Sequence, residues 1–162
     1  MSERPRNVYI LILLWLALSG IFVLWAGYSL LIFIEIPGWE ADLGGLLYPV
    51  HFGYLISTIV WFVFSFLFVI FSYATFKGDG WAWTTGIIIS TIFLIVFGLM
   101  LAAFIVNAIR FLDWFSVYGL ITVILSFLTD IGIVIYLTRP LTKIYFAKIN
   151  SEKISEIVKD QV

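Results

Sequence analysis

"TTGIIISTIFLIVFGLMLAAFIVNAI", Thr84 to Ile109, contains no charged side chain and no proline. A spanning helix needs about 20 mostly apolar residues at 1.5 Å rise each, and this run exceeds that. Its apolar residues are continuous and do not alternate at every second position, which excludes a transmembrane β-strand. Tyr9–Ile34, Phe52–Phe76 and Val117–Thr138 have the same character. The expectation is an all-α polytopic membrane protein. Four transmembrane helices over 9–34, 52–76, 84–109 and 117–138 form an antiparallel bundle. Residues 1–146 make the transmembrane domain, and 147–162 a short amphipathic tail on the cytoplasmic side.

Composition agrees. The 162-residue chain is 63% hydrophobic and 12% charged, with mean hydropathy +1.13. A soluble domain is nearer half apolar and a quarter charged. The net charge of −1, with no basic run, excludes a nucleic-acid partner. There is no cysteine, so disulfides, thiolate metal sites, iron–sulfur clusters and cysteine nucleophiles are all excluded. A single histidine rules out bis-histidine haem ligation within the chain. The first apolar segment is too long for a signal-peptide core and is kept as a mature helix.

Charge sets the expected orientation. With the N-terminus inside, Arg4, Arg6, Lys77, Arg139, Lys143, Lys148, Lys153 and Lys159 all fall on the cytoplasmic side, and Arg110 alone on the other. Cytoplasmic flanks are enriched in Lys and Arg, so both termini are expected inside. Trp39, Trp81, Trp83 and Trp114 fall at expected helix ends, where indoles anchor at headgroup level. Trp15, Trp25 and Trp61 lie deeper and read as packing or lipid-facing residues.

Lipid gives helices no hydrophobic reason to associate, so small and hydrogen-bonding residues mark contact faces. Helix 1 carries Ser19/Gly20 and Ala26/Gly27, helix 2 Thr58, Ser65 and Ser72, and helix 3 Thr84, Thr91 and Gly98 with Ala102. Helix 4 aligns Thr122, Ser126 and Asp130 at four-residue steps on one face. These seams read first as packing contacts.

"YATFKGDGWAW" (Tyr73–Trp83) and "IYLTRPLTKIYF" (Ile135–Phe146) carry a resemblance. Lys77, Gly78, Gly80, Trp81, Ala82 and Trp83 match a Lys-Gly-x-Gly-Trp-Ala-Trp turn. Tyr136, Leu137, Thr138, Arg139, Pro140, Lys143, Tyr145 and Phe146 match a Tyr-Leu-Thr-Arg-Pro-His-Val-Lys-x-Tyr-Phe tail, with Leu141 and Thr142 in place of the histidine and valine. On these motifs the chain resembles a broad group of small four-helix prokaryotic membrane proteins, common in archaea. The resemblance implies a fold and an archaeal source, and no activity. Physics explains both motifs without chemistry. The glycines allow a tight turn, Trp81 and Trp83 anchor helix 3, and Arg139 and Lys143 sit at the headgroups. Pro140 disfavours helix at Arg139, so the chain is expected to bend there onto the membrane surface. Beyond it, Ile149, Ile154, Ile157 and Val158 alternate with charges, as an interfacial or partner-docking helix does.

Candidate sites are few. His51 with Glu35, Glu40 and Asp42 offers metal-ligand chemistry without ligand spacing, and the acidic loop reads more simply as a solvated connector or partner edge. Arg110 and Asp113 read as a local pair of little energetic weight. Asp130 lies about 13 Å along its helix from Arg139, near the bilayer centre. Insertion scales place the cost of a centred Asp at roughly 2.5–3.5 kcal/mol, so its surroundings must compensate. Three roles are open to it: a protonated group bonded to a Ser or Thr of a neighbouring helix, a pair with a polar group of a partner subunit, or proton or cation translocation. In the resembling proteins an Asn often stands here, which implies the first. No nucleotide loop, paired carboxylates or nucleophile–base pair is present, so no enzyme activity, cofactor or soluble substrate is expected. The leading expectation is an accessory, structural subunit of a larger membrane complex, such as a respiratory oxidase or membrane monooxygenase of an archaeon. Its partners are the lipid bilayer and other membrane subunits. The alternative is a homo-oligomeric channel or proton-coupled carrier using Asp130.

Overall fold

A computed structural model of the protein describes residues 5–35, 48–110 and 114–159. They form α1 (Arg6–Glu35), α2 (Tyr48–Lys77), α3 (Gly80–Arg110), α4 (Trp114–Thr138) and α5 (Pro140–Lys159). Four stretches, Arg6–Ile34, Phe52–Lys77, Gly80–Val106 and Val117–Thr138, are long and apolar enough to cross a membrane. The helices overrun the expected spans at several ends, α2 starting at Tyr48 and α3 at Gly80. An apolar run marks only the hydrocarbon-embedded part of a helix, which continues into the headgroup layer.

α1 is the organising helix. It lies along α2 on one side and α4 on the other, and α4 in turn lies along α3. α2 and α3 are joined by a two-residue turn yet approach each other sparingly. Aromatic rings bridge that gap. Phe22 of α1 stacks on Trp61 at 5.1 Å and on Phe68 at 5.3 Å, and meets Phe93 at 5.7 Å and Phe97 at 5.9 Å. Phe64 of α2 meets Phe93 of α3 edge-on at 5.1 Å. Each such pair contributes about 0.5–1.5 kcal/mol beyond its area. Dispersion between close rings is what holds these helices together where lipid is as apolar as the core.

Trp15 and Trp25 belong to this core, both buried. Trp15 stacks on Phe71 at 5.1 Å and Phe68 at 5.5 Å, and Trp25 on Trp61 at 5.8 Å. Hydroxyls supplement the rings along α1 and α2. Ser19 and Ser65 hydroxyls lie 3.0 Å apart, Ser29 and Ser57 3.4 Å apart, and Ser72 Oγ donates to the Ile12 carbonyl at 3.4 Å. Thr58, Ser65 and Ser72 are all buried.

Two of the expected small-residue seams are divided or turned. On α1, Ser19 and Ala26 face inward, while Gly20 is exposed and Gly27 partly so. Among the described residues, no side chain or other helix lies within 4 Å of where a Cβ would stand at either glycine. On α3, Thr84 and Thr91 are exposed, and Thr91 Oγ1 bonds its own helix at the Ile87 carbonyl, 2.7 Å away. The inward face of α3 instead carries Ala82, Gly86, Ser90, Phe93 and Phe97. A hydroxyl that satisfies itself on its own helix needs no neighbour, so Thr is a weak marker of a contact face.

The α2–α3 turn has a defined geometry. Gly78 takes φ +71°, its N–H donates to the Thr75 carbonyl at 3.1 Å, and the Asp79 N–H donates to the Ala74 carbonyl at 3.0 Å. That pair of bonds is a Schellman ending, which requires a left-handed residue. A side chain at Gly78 would also run into Ile149 Cδ1 and come within 3.3 Å of Tyr145 Oη, both on α5. The chain bends at Arg139, and Pro140 opens α5, where its missing N–H and fixed φ suit a first helical turn. α5 is therefore a helix from Pro140 onward, ahead of the expected tail boundary at 147. Its Thr142, Tyr145 and Phe146 are buried against the rest of the chain, while Leu141, Ile144 and Ile154 are exposed.

Candidate functional site

The inward face of α4 carries Thr122, Ser126 and Asp130, all buried. The four-residue spacing puts them in one row. Thr122 Oγ1 donates to the Tyr118 carbonyl at 2.8 Å and Ser126 Oγ to the Thr122 carbonyl at 2.9 Å. Both hydroxyls are thus satisfied within α4. Asp130 is not: neither of its carboxyl oxygens has a hydrogen-bond partner within α4.

Asp130 is the one Asp, Glu, Lys or Arg side chain that is buried among the described residues. Ser90 of α3 is the side chain whose hydroxyl interacts with its carboxyl. The approach falls short of a well-formed hydrogen bond, so both carboxyl oxygens and Ser90 Oγ remain buried without a partner. Trp15 of α1 enters the same region. Its Cζ2 lies 3.3 Å from where a Gly86 Cβ would stand, one turn before Ser90, a tight approach that a larger side chain would crowd. The indole Nε1 is likewise buried and unpartnered. α3 and α4 therefore set one carboxyl group opposite one hydroxyl, an arrangement in which a protonated carboxyl could donate to Ser90 Oγ.

Asp130 is buried within its own chain. Ser90 and Trp15 were not singled out from the sequence as its neighbours. The available signal was the Gly86/Ser90 pair at four-residue spacing, which marks the inward face of α3 better than Thr84 and Thr91 do.

The other candidates fall in different places. Glu40 and Asp42 lie outside the described residues, as do the side chains of Glu35 and His51. Trp39, Asp113 and the side chains of Asn107, Arg110 and Trp114 lie outside them too. Among the described residues no three His, Cys, Asp or Glu side chains gather as a metal site would need. Trp81 is 47% exposed and touches Phe71 at 5.6 Å. Trp83 is part-buried, and its Nε1 donates to the Leu137 carbonyl at 2.9 Å, tying the start of α3 to the end of α4. The Arg139 guanidinium lies over the Tyr136 ring at 4.4 Å. Lys143 is exposed on α5. Comparison with protein-family models, curated proteins and solved structures finds no match to this chain.

Proposed function

We propose that the chain is a non-catalytic accessory subunit of a larger membrane assembly, an antiparallel four-helix bundle with both termini in the cytoplasm. The observation that carries this reading is the outward stripe of α1, where Gly20 and Gly27 stand seven residues apart with no side chain or other helix among the described residues within 4 Å of where their Cβ atoms would stand. Small residues on a membrane helix allow close approach of another helix, and here no helix of the same chain uses them. The orientation is supported by Arg6, Lys77, Arg139 and Lys143, which share the end where α1 begins and α2 and α4 finish. The likeness to small four-helix archaeal proteins fits the same reading by analogy of size and motif. Mild solubilisation of native membranes followed by blue-native electrophoresis tests it. Wild type is expected in a high-mass band that Gly20→Leu/Gly27→Leu dissolves into free protein. Migration of the wild type only as a free monomer or small homo-oligomer would overturn the proposal.

A second reading, a homo-oligomeric channel or proton-coupled carrier, is favoured by one observation: both Asp130 oxygens are buried without a partner. Buried ionisable groups in membranes mark proton and ion paths. Proton flux in liposomes decides it, since a carrier loses flux on Asp130→Asn. Absent or unchanged flux removes the reading.

A further inference from the structure

Two concavities lie along α3. The first, about 320 Å³, opens between the start of α3 and α5, with Trp81, Thr84, Lys143 and Asn150 in its walls. Its polar groups are the Lys143 ammonium, the Thr84 hydroxyl, the Asn150 amide and the indoles of Trp81 and Trp83, with no carboxylate among the described residues lining it. The second, about 370 Å³, lies where α2 and α3 are held apart by their aromatic rings. Trp61, Phe64 and Leu67 line it from α2 and Ile89, Ile92 and Val96 from α3, with no polar side chain.

The two are connected by one stripe of α3. Trp81, Ile88, Ile92 and Val96 follow one another at seven- and four-residue steps, and are 47%, 56%, 55% and 39% exposed. At 1.5 Å per residue the apolar groove begins about 12 Å beyond Trp81 and ends about 22 Å beyond it. Half the hydrocarbon thickness is about 15 Å, so a lipid chain whose headgroup lies at Trp81 reaches the groove. We infer that this stripe holds one anionic phospholipid of the leaflet at the α2–α3 turn. Its phosphate contacts Lys143, Asn150 and Thr84, and an acyl chain runs past Ile88 into the groove between α2 and α3.

The chemistry selects this occupant. Among the residues whose side chains are described at this end, the cations Arg6, Lys77, Arg139, Lys143 and Lys148 outnumber the carboxylates Asp79 and Glu152, and Glu152 already pairs with Lys148 at 3.9 Å. An anionic headgroup is therefore favoured over one that carries its own ammonium. A free phosphate ion would meet a single ammonium on an exposed wall and would leave the apolar groove unused. A partner helix would need small residues to approach, and the groove is lined by large ones.

Native mass spectrometry of the full-length protein, delipidated and offered equal phosphatidylglycerol and phosphatidylcholine of matched chains, tests the assignment. Wild type is expected to retain phosphatidylglycerol about five-fold over phosphatidylcholine, the ratio that one near-surface cation supplies. Lys143→Gln lowers that preference several-fold and Lys143→Arg restores it. Ile92→Trp fills the groove and lowers retention of both lipids alike. Lys143 and Ile92 are exposed, and unchanged helicity by circular dichroism checks that the variants fold. An unchanged preference in Lys143→Gln would overturn the headgroup contact, and unchanged retention in Ile92→Trp the acyl path. Displacement of the lipid by millimolar inorganic phosphate would reduce the site to an ion site. A co-purified polypeptide released by Ile92→Trp would assign the groove to a partner helix instead.

Discussion

Asp130→Ala separates a residue that holds the helices together from one that the fold tolerates. Asp130 brings two oxygens into the interior without a well-formed hydrogen bond. A buried polar group left in that state costs about 1–3 kcal/mol. Truncation to alanine removes the cost and raises helix propensity. It also leaves a cavity of about 25 Å³, worth about 0.6 kcal/mol at 24 cal/mol per Å³. The net expectation is stabilisation by about 1–2 kcal/mol, read from equilibrium unfolding in mixed micelles of dodecyl sulfate and a mild detergent. Asp130→Asn keeps the size and the polarity and should move the midpoint far less. If Asp130→Ala instead destabilises the protein by more than about 1 kcal/mol, the carboxyl is bonded in the membrane, to Ser90 or an ordered water. The inference of an unsatisfied group would then be wrong. Stabilisation would mean that the residue is retained for something other than stability, as strained functional sites are.

The same unfolding assay serves three further expectations. Gly86→Val should cost about 2–3 kcal/mol, because Trp15 Cζ2 and Leu137 Cδ1 stand 3.3 and 3.4 Å from its missing Cβ and core overpacking costs about that much. Gly78→Ala should cost about 1–2 kcal/mol for the left-handed backbone alone, with more from Ile149, and should speed proteolysis within α5, which rests on that turn. A Ser19→Ala/Ser65→Ala double-mutant cycle should give a coupling near 0.6 kcal/mol, the average for hydroxyl pairs between membrane helices. Zero coupling would mean the 3.0 Å contact is proximity alone.

The spans were legible in the sequence because hydrocarbon tolerates so little besides a long apolar helix. Which side of each helix faces its neighbours was not, and the reason is the same. In a soluble helix the polar face declares itself, but here lipid and core are equally apolar. Phe22 is fully buried and Phe66 is 68% exposed, and nothing local in the sequence distinguishes them. Hydroxyls help only where they must find a partner on another helix. The seven-residue row Thr58, Ser65, Ser72 lies buried in the structure, whereas Thr84 and Thr91 face outward. Asp130 was legible as an intramembrane carboxyl, but Ser90 and Trp15 come from helices whose register against α4 no local pattern encodes. α5 is a separate case. Its buried Thr142, Tyr145 and Phe146 precede the mixed-charge stretch that marks a tail helix, so the amphipathic signal begins after the helix does.

The distribution of hydrogen bonds along the helices gives Asp130 a context that its row on α4 does not. Most buried hydroxyls have partners: Ser19 with Ser65, Ser29 with Ser57, Thr122 and Ser126 with their own helix, and, nearer the α2–α3 turn, Ser72 with the Ile12 carbonyl. From the level of Asp130 toward that turn, Trp15 Nε1, Ser90 Oγ, Thr75 Oγ1 and Thr142 Oγ1 are buried with none. Unsatisfied groups scattered at random would signal loose packing, yet these lie where Gly86 admits Trp15 at van der Waals distance and α5 closes over the helix ends. A buried polar atom without a partner costs about 1–3 kcal/mol, and an ordered water offsets that cost wherever one fits. Asp130 then stands opposite Ser90 of α3 as well as completing the row Thr122–Ser126–Asp130.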